Sequence, residues 1–259
     1  MNDVLKITAL QTDLHWENPE ANHRALGEKM RNAPAADAYI LPEMFPTGFS
    51  MDAKRLAESM NGPTHQWMKA MARELHAAVG GSVIIEDTGH FYNRFLWVHP
   101  YGETDFYDKR HRFTMAGEHH HFSAGKSQTV VDVKGWRVLL QVCYDLRFPV
   151  WSRNRGDYDV AVYVANWPEA RSAAWSKLLL ARAIENQCYI IGVNRVGTDG
   201  NQIAYSGHSA MIDPKGEYMV QPLAHSDEAL YAGLSKAELL DFRKKFAVLD
   251  DGDDFEVRA

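Results

Sequence analysis

The chain has 259 residues, 46% of them hydrophobic, which suits one large domain or two small ones and gives no case for disorder. Its formal charge is −6, from 28 basic and 34 acidic residues, with the basic groups dispersed apart from Lys109-Arg110-His111-Arg112. Nucleic acid is therefore not the expected partner. No apolar run reaches membrane-spanning length, and the first ten residues lack the basic flank and long apolar core of a signal peptide, so a cytoplasmic protein is expected.

Alternation and β-formers predict an opening strand over 5–11, a helix over 22–31 and a short buried strand over 37–41. Residues 65–76 have helical spacing, with Trp67, Met71 and Leu75 on one side. Strands over 81–86 and 91–99 are joined by the turn signals Asp87, Gly89 and His90, and another strand runs up to Lys109. The second half repeats that style. Residues 129–133 and 136–142 pair around Lys134-Gly135, a β-prone run over 159–165 ends at Asn166-Trp167-Pro168, and 172–186 has the composition of a helix. Strands follow over 188–193, 209–212 and 217–220. Strands alternating with a few long helices favour a layered α/β protein. Directly paired neighbours favour two mixed sheets packed together with helices outside.

Three strand ends carry reactive groups. Cys143 ends the apolar run Val138-Leu139-Leu140-Gln141-Val142, and the polar, proline-ended Tyr144-Asp145-Leu146-Arg147-Phe148-Pro149 demands a sharp turn behind it. Glu43 sits between Pro42 and Pro46, which restrict the loop that aims it. Lys109 follows Phe106-Tyr107-Asp108. A soft nucleophile, an acid–base group and a fixed positive charge are the equipment for acyl transfer, with the amide near Tyr144 as a second oxyanion donor. Glu118 is placed to orient Lys109, or to position an amide and water. Trp167 is a candidate wall for aliphatic substrate. Arg147 and Arg171 are candidate carboxylate readers, although Arg147 could instead pair with Asp145. Arg110 and Arg112 are read as structural or rim residues.

The tract His119-His120-His121 invites a zinc hypothesis, but consecutive side chains do not converge on one ion, and neither HExxH nor paired CxxC occurs. No metal and no organic cofactor is expected. Cys188, in Asn186-Gln187-Cys188-Tyr189-Ile190-Ile191, reads as a core thiol. A disulfide to Cys143 would sacrifice the best nucleophile, so a reducing compartment is the simpler reading.

Leu41-Pro42-Glu43, Tyr107-Asp108-Lys109 and Cys143-Tyr144-Asp145-Leu146-Arg147-Phe148 closely resemble signatures of the nitrilase, or carbon–nitrogen hydrolase, superfamily. Asn166-Trp167-Pro168, the run 181–186, the run 192–196 and Tyr205-Ser206-Gly207 also look like this family, so the similarity spans Lys6 to about Phe242. The resemblance implies a four-layer αββα sandwich in a single domain over 1–259, with a C-terminal extension from about 235. It assigns Glu43, Lys109 and Cys143 to the family's triad and Glu118 to its additional glutamate. It also implies a homodimer. The Asn166-Trp167-Pro168 and 181–197 wording looks like the bacterial ω-amidase branch, whose members hydrolyse the terminal amide of 2-oxoglutaramate or 2-oxosuccinamate. Other amidases, carbamoylases and nitrile hydrolases share the triad. A cysteine-centred redox protein or a histidine-rich metal binder is the alternative from a different class.

Overall fold

Alternation along the opening strand dictates the layering. In β1 (Val4–Gln11) Leu5, Ile7 and Ala9 face one side and Leu10 the other, and both sides are buried. A strand covered on both faces must lie between layers. The computed structural model describes residues 3–220 and 224–258; Met1, Asn2, 221–223 and Ala259, which the single-domain expectation also spans, lie outside the described residues.

After β1 come α1 (Pro19–Asn32), β2 (Ala38–Ile40), the short α2 (Ala53–Leu56), α3 (Pro63–Leu75), β3 (Ala78–Asp87), β4 (His90–Val98) and β5 (Thr104–Asp108). A single turn, α4 (Glu118–His121), precedes β6 (Val130–Val133), β7 (Trp136–Val142) and β8 (Val160–Ala165). Then follow α5 (Ser172–Asn186), β9 (Tyr189–Asn194), the hairpin β10 (Val196–Thr198) and β11 (Ala204–Ser206), β12 (Ala210–Ile212) and β13 (Tyr218–Val220). The last elements are β14 (Glu228–Ser235) and α6 (Lys236–Lys245). Helix α1 starts where sequence chemistry directs it: Asn18 accepts from the Ala21 amide at 3.1 Å and Pro19 occupies the first turn.

Two six-stranded mixed sheets form, in the orders β14-β1-β2-β3-β4-β5 and β13-β12-β9-β8-β7-β6. Ile7, Ala9, Ala38 and Ile40 of the first meet the second sheet's apolar residues, among them Val138, Leu140 and Val142, in one continuous core. On the outer face of the first sheet, Tyr39 and Val79 receive Leu26 and Met30 from α1 and Met68 and Met71 from α3. Each fully buried side chain of this kind is worth about 1.5–3 kcal/mol, so the contacts between layers hold the strand ends in register. Helix α5 lies close on the second sheet because Gly192 leaves room; a Cβ there would sit 2.5 Å from Leu179. The result is the expected αββα sandwich of two mixed sheets flanked by helices.

The short helices α2 and α4, the β10–β11 hairpin, β14 and α6 fall outside the elements predicted from pattern. Strand β14 pairs antiparallel with all of β1, from Val4↔Ser235 to Gln11↔Glu228, and puts Leu230, Ala232 and Leu234 into the inter-sheet core. Ser235 then caps α6 by accepting from the Glu238 amide at 3.2 Å. The buried carboxylate of Asp159 fastens that helix by accepting from Lys236 at 2.5 Å and Arg243 at 3.2 Å, with Arg137 as a third cation at 3.0 Å.

Candidate active site

Segments following the central strands β2, β7 and β8 and the edge strand β5 deliver the reactive groups to one site. Glu43 leaves β2 through Leu41 and Pro42 and is fully buried. Its Oε1 accepts from Asn93 Nδ2 at 2.7 Å and from Lys109 Nζ at 2.9 Å, and its Oε2 accepts from the Asn166 amide at 2.8 Å. Asn166 also donates through Nδ2 to the Glu43 carbonyl at 2.6 Å, so both ends of Glu43 are tied to the loop after β8.

Lys109 continues the β4–β5 ladder by one bond, its amide donating to the Asn93 carbonyl at 3.0 Å, which turns the side chain inward. Gly125 makes this possible from the other side. Its amide donates to the Lys109 carbonyl at 3.0 Å, and a Cβ at 125 would lie 1.9 Å from the Asp108 carbonyl. The ammonium, 1% exposed, also donates to both oxygens of Glu118 at 2.9 and 3.0 Å. Glu118 is held in turn by the Phe113 amide at 2.5 Å. Burial opposes the charge on Lys109, but Glu118 and Glu43 outweigh it and push its pKa above the usual lysine range. Burial raises the pKa of Glu118, and Glu43 adds to that rise, while Lys109 counters it.

Cys143 caps β7 in a left-handed conformation, φ +46°, unusual for a non-glycine residue, and opens a short 3₁₀ turn over Cys143–Arg147. Cys143 as a residue is 9% exposed and lines a cavity of about 140 Å³. Burial and the neighbouring Glu43 raise its pKa well above that of a free thiol, against the pull of Lys109. Two carboxylates against one ammonium leave no net positive field to hold a resting thiolate.

Tyr144, Arg147, Trp167 and Arg171 all stand on the wall of that cavity. Trp167 is fixed at both ends, its amide donating to Asn194 Oδ1 at 2.7 Å and its Nε1 to the Arg171 carbonyl at 2.8 Å. The Arg147 guanidinium stacks on the Trp167 ring at 4.9 Å, and that of Arg171 on Phe113 at 5.2 Å. Asp145 does not pair with Arg147; its oxygens are occupied by Tyr107, Val142 and His111. Arg110 and Arg112 bond the carbonyls of Gly125 and Phe122, at 3.1 and 3.2 Å. His119, His120 and His121 are exposed, and no group of three or more candidate metal ligands occurs among the described residues.

Several residues of the site have no local signal in the sequence. Asn93 reads as an ordinary residue of β4, and only the pairing of β4 with β5 brings it to Glu43. Phe49 and Met51, which line the cavity, stand in a loop whose course the sequence leaves open. Asn194 is legible only as part of a longer motif.

The carbon–nitrogen hydrolase family pattern matches residues 6–244. The chain is 47% identical over 253 residues to "Omega-amidase YafV" of Escherichia coli K12, covering 98% of each protein. It is 30% identical over 252 residues to "2-oxoglutaramate amidase" of Bacillus subtilis 168, covering 95% of this chain and 96% of that one. The crystal structure of XC1258 from Xanthomonas campestris, a CN-hydrolase superfamily protein with an arsenic adduct in the active site, superposes with a TM-score of 0.96 at 43% identity, covering 98% of this chain and 99% of that one. With the fold, the strand-end signatures and full-length similarity in agreement, this chain belongs to the carbon–nitrogen hydrolase family.

Proposed function

We propose that the chain is an ω-amidase that hydrolyses the terminal amide of a small 2-oxo dicarboxylic acid monoamide, such as 2-oxoglutaramate or 2-oxosuccinamate, through a cysteine thioester. The observation that carries it is Cys143, held in a strained turn at the cavity wall, with Glu43, Lys109 and Glu118 buried behind it. The substrate class is supported by the 47% and 30% identical relatives, and Arg147 and Arg171 supply the positive charge that a carboxylate requires.

In this mechanism the Cys143 proton passes to Glu43 as sulfur attacks the amide carbonyl, so no free thiolate is needed beforehand. The oxyanion is stabilised by Lys109 Nζ and by the Tyr144 amide, which lies at the start of a helical turn and has no carbonyl of that turn behind it. Collapse breaks the C–N bond; Glu43 returns the proton to nitrogen, ammonia leaves, and an acyl-thioester remains. Glu43 then takes a proton from water, hydroxide adds to the thioester, the C–S bond breaks, and the proton returns to sulfur as the acid departs. Glu118 holds Lys109 throughout.

The chain works as a single domain, with a homodimer as its quaternary state and a reducing, cytoplasmic setting that keeps Cys143 and Cys188 free. No helix among the described residues is long and apolar enough to cross a membrane. Ammonia release from freshly generated 2-oxoglutaramate is the test. Wild-type turnover should fall by at least about 10⁴-fold in Cys143→Ala. A wild type silent on this substrate but active on a carbamoyl compound or a nitrile would retain the thiol chemistry and reject the substrate class. Light scattering of the purified protein checks the dimer.

A further inference from the structure

Cys143 and Lys109 come from different sheets, yet one buried carboxylate touches the backbone beside each. Asp145 is fully buried and accepts four hydrogen bonds. Its Oδ2 accepts from Tyr107 OH at 2.9 Å and from the Val142 amide at 3.0 Å. Its Oδ1 accepts from the His111 amide at 3.0 Å, and His111 Nδ1 lies 2.8 Å away as donor to the same oxygen. Tyr107 and His111 flank Lys109 by two residues on either side, and Val142 immediately precedes the strained Cys143. The phenol of Tyr107 is itself saturated, accepting from Trp151 Nε1 at 3.0 Å and the Arg110 amide at 3.2 Å. His111 lies flat on Phe148, with ring centroids 3.8 Å apart, which closes the same turn over the Lys109 segment.

We infer that Asp145 is a positioning residue, coupling the Cys143 turn to the Lys109 segment so that thiol and ammonium are aligned as one unit. The inference rests on Cys143 being the nucleophile and Lys109 the oxyanion cation. Both carboxylate oxygens are required, because each serves two donors. An asparagine of the same shape would offer one acceptor and turn an NH₂ group toward the two donors at the other site, so one side of the coupling must open. Opening it lets the ammonium drift from the thiol. A misplacement of about 1 Å can cost a reaction about 10²-fold.

The test compares Asp145→Asn and Tyr107→Phe with wild type by kcat, KM and the pH dependence of Cys143 alkylation by iodoacetamide, read by intact mass. Asp145→Asn should lose about 10²-fold in kcat with KM little changed, and its alkylation profile should move to higher pH as Lys109 recedes. Tyr107→Phe keeps the carboxylate and removes one donor, so it should shift both readouts the same way, with about a fivefold loss in kcat. A merely structural Asp145 would lower thermal stability and leave both readouts alone. A folded variant with kcat and alkylation profile within about twofold of wild type therefore overturns the inference. If Asp145→Asn does not fold, Tyr107→Phe decides by the same criterion. An active Cys143→Ala would sink the nucleophile assignment, whereas an inactive Cys143→Ala beside a normal Asp145→Asn would sink this inference alone.

Discussion

The two sheets are built to one plan. Taken as β14-β1-β2-β3-β4-β5 and β6-β7-β8-β9-β12-β13, the neighbouring strands pair antiparallel, parallel, parallel, antiparallel, antiparallel in both. Strand β1 thus corresponds to β7, and β2 to β8. Their connections differ. The crossover after β1, over 12–37, contains the long helix α1; that after β7, over 143–159, contains only the 3₁₀ turn that opens at Cys143. Glu43 lies beyond the end of β2, and Asn166 beyond the end of β8; these corresponding positions bond each other across the site. In the proposed reaction the first half supplies the buried charges Glu43, Lys109 and Glu118 together with Asn93, and the second supplies the nucleophile, Asn166 and the cavity arginines. Matching frames bring the two edges together, and loop chemistry alone divides the labour.

The first half breaks with the largest effect. Lys109→Met should lower kcat by at least about 10²–10³-fold through loss of the oxyanion partner. It should also destabilise the fold by about 3–5 kcal/mol, because Glu43 and Glu118 are left buried without a cation. Measuring kcat and the urea midpoint together separates the two. The double variant Lys109→Met with Glu118→Gln removes one surplus charge, and should recover part of the stability and none of the activity. Recovery of activity would assign the ammonium a structural role only.

The second half gives a smaller effect at Asn166. Asn166→Ala removes the bond from Nδ2 to the Glu43 carbonyl but keeps the backbone amide on Oε2. A loss of about 1–2 kcal/mol in stability and about tenfold in kcat is expected. If kcat stays at the wild-type value while stability falls, the junction of the two halves serves folding and leaves the aim of Glu43 untouched.

The part of this site written in short stretches of chain is legible in the sequence alone. Glu43 between two prolines, Lys109 at the end of a β-run and Cys143 before a proline-ended turn each announce a strand terminus locally. The Asp145 network is not legible there: Val142 lies only three residues away, but Tyr107 and His111 reach it from 38 and 34 residues earlier in the chain, and nothing beside Asp145 identifies them. Strand β14 is a similar case. Its Leu230, Ala232 and Leu234 do alternate, but it is stabilised by pairing with the opening strand across nearly the whole chain. Local pattern reads local forces; contacts made by closure of the sheets are outside its reach.

The smallest expected effect concerns the other thiol of the second half. Cys143 looks into the cavity, whereas Cys188, fully buried just before β9, looks into the core. Burial pushes the Cys188 pKa up from 9.0 to about 12, against the pull of Arg243. The folded state therefore holds this proton more tightly than the unfolded chain does. The corresponding stability is complete below about pH 9 and is lost as the pH rises through about 12. Cys188→Ala should cost about 1 kcal/mol at neutral pH by leaving a small void, keep kcat, and flatten the fall in urea midpoint on the alkaline side. Native wild type should accordingly take one iodoacetamide equivalent, at Cys143. Ready alkylation at Cys188 in the folded protein, or an alkaline slope unchanged in Cys188→Ala, would erase the distinction between a thiol held for chemistry and one held for packing.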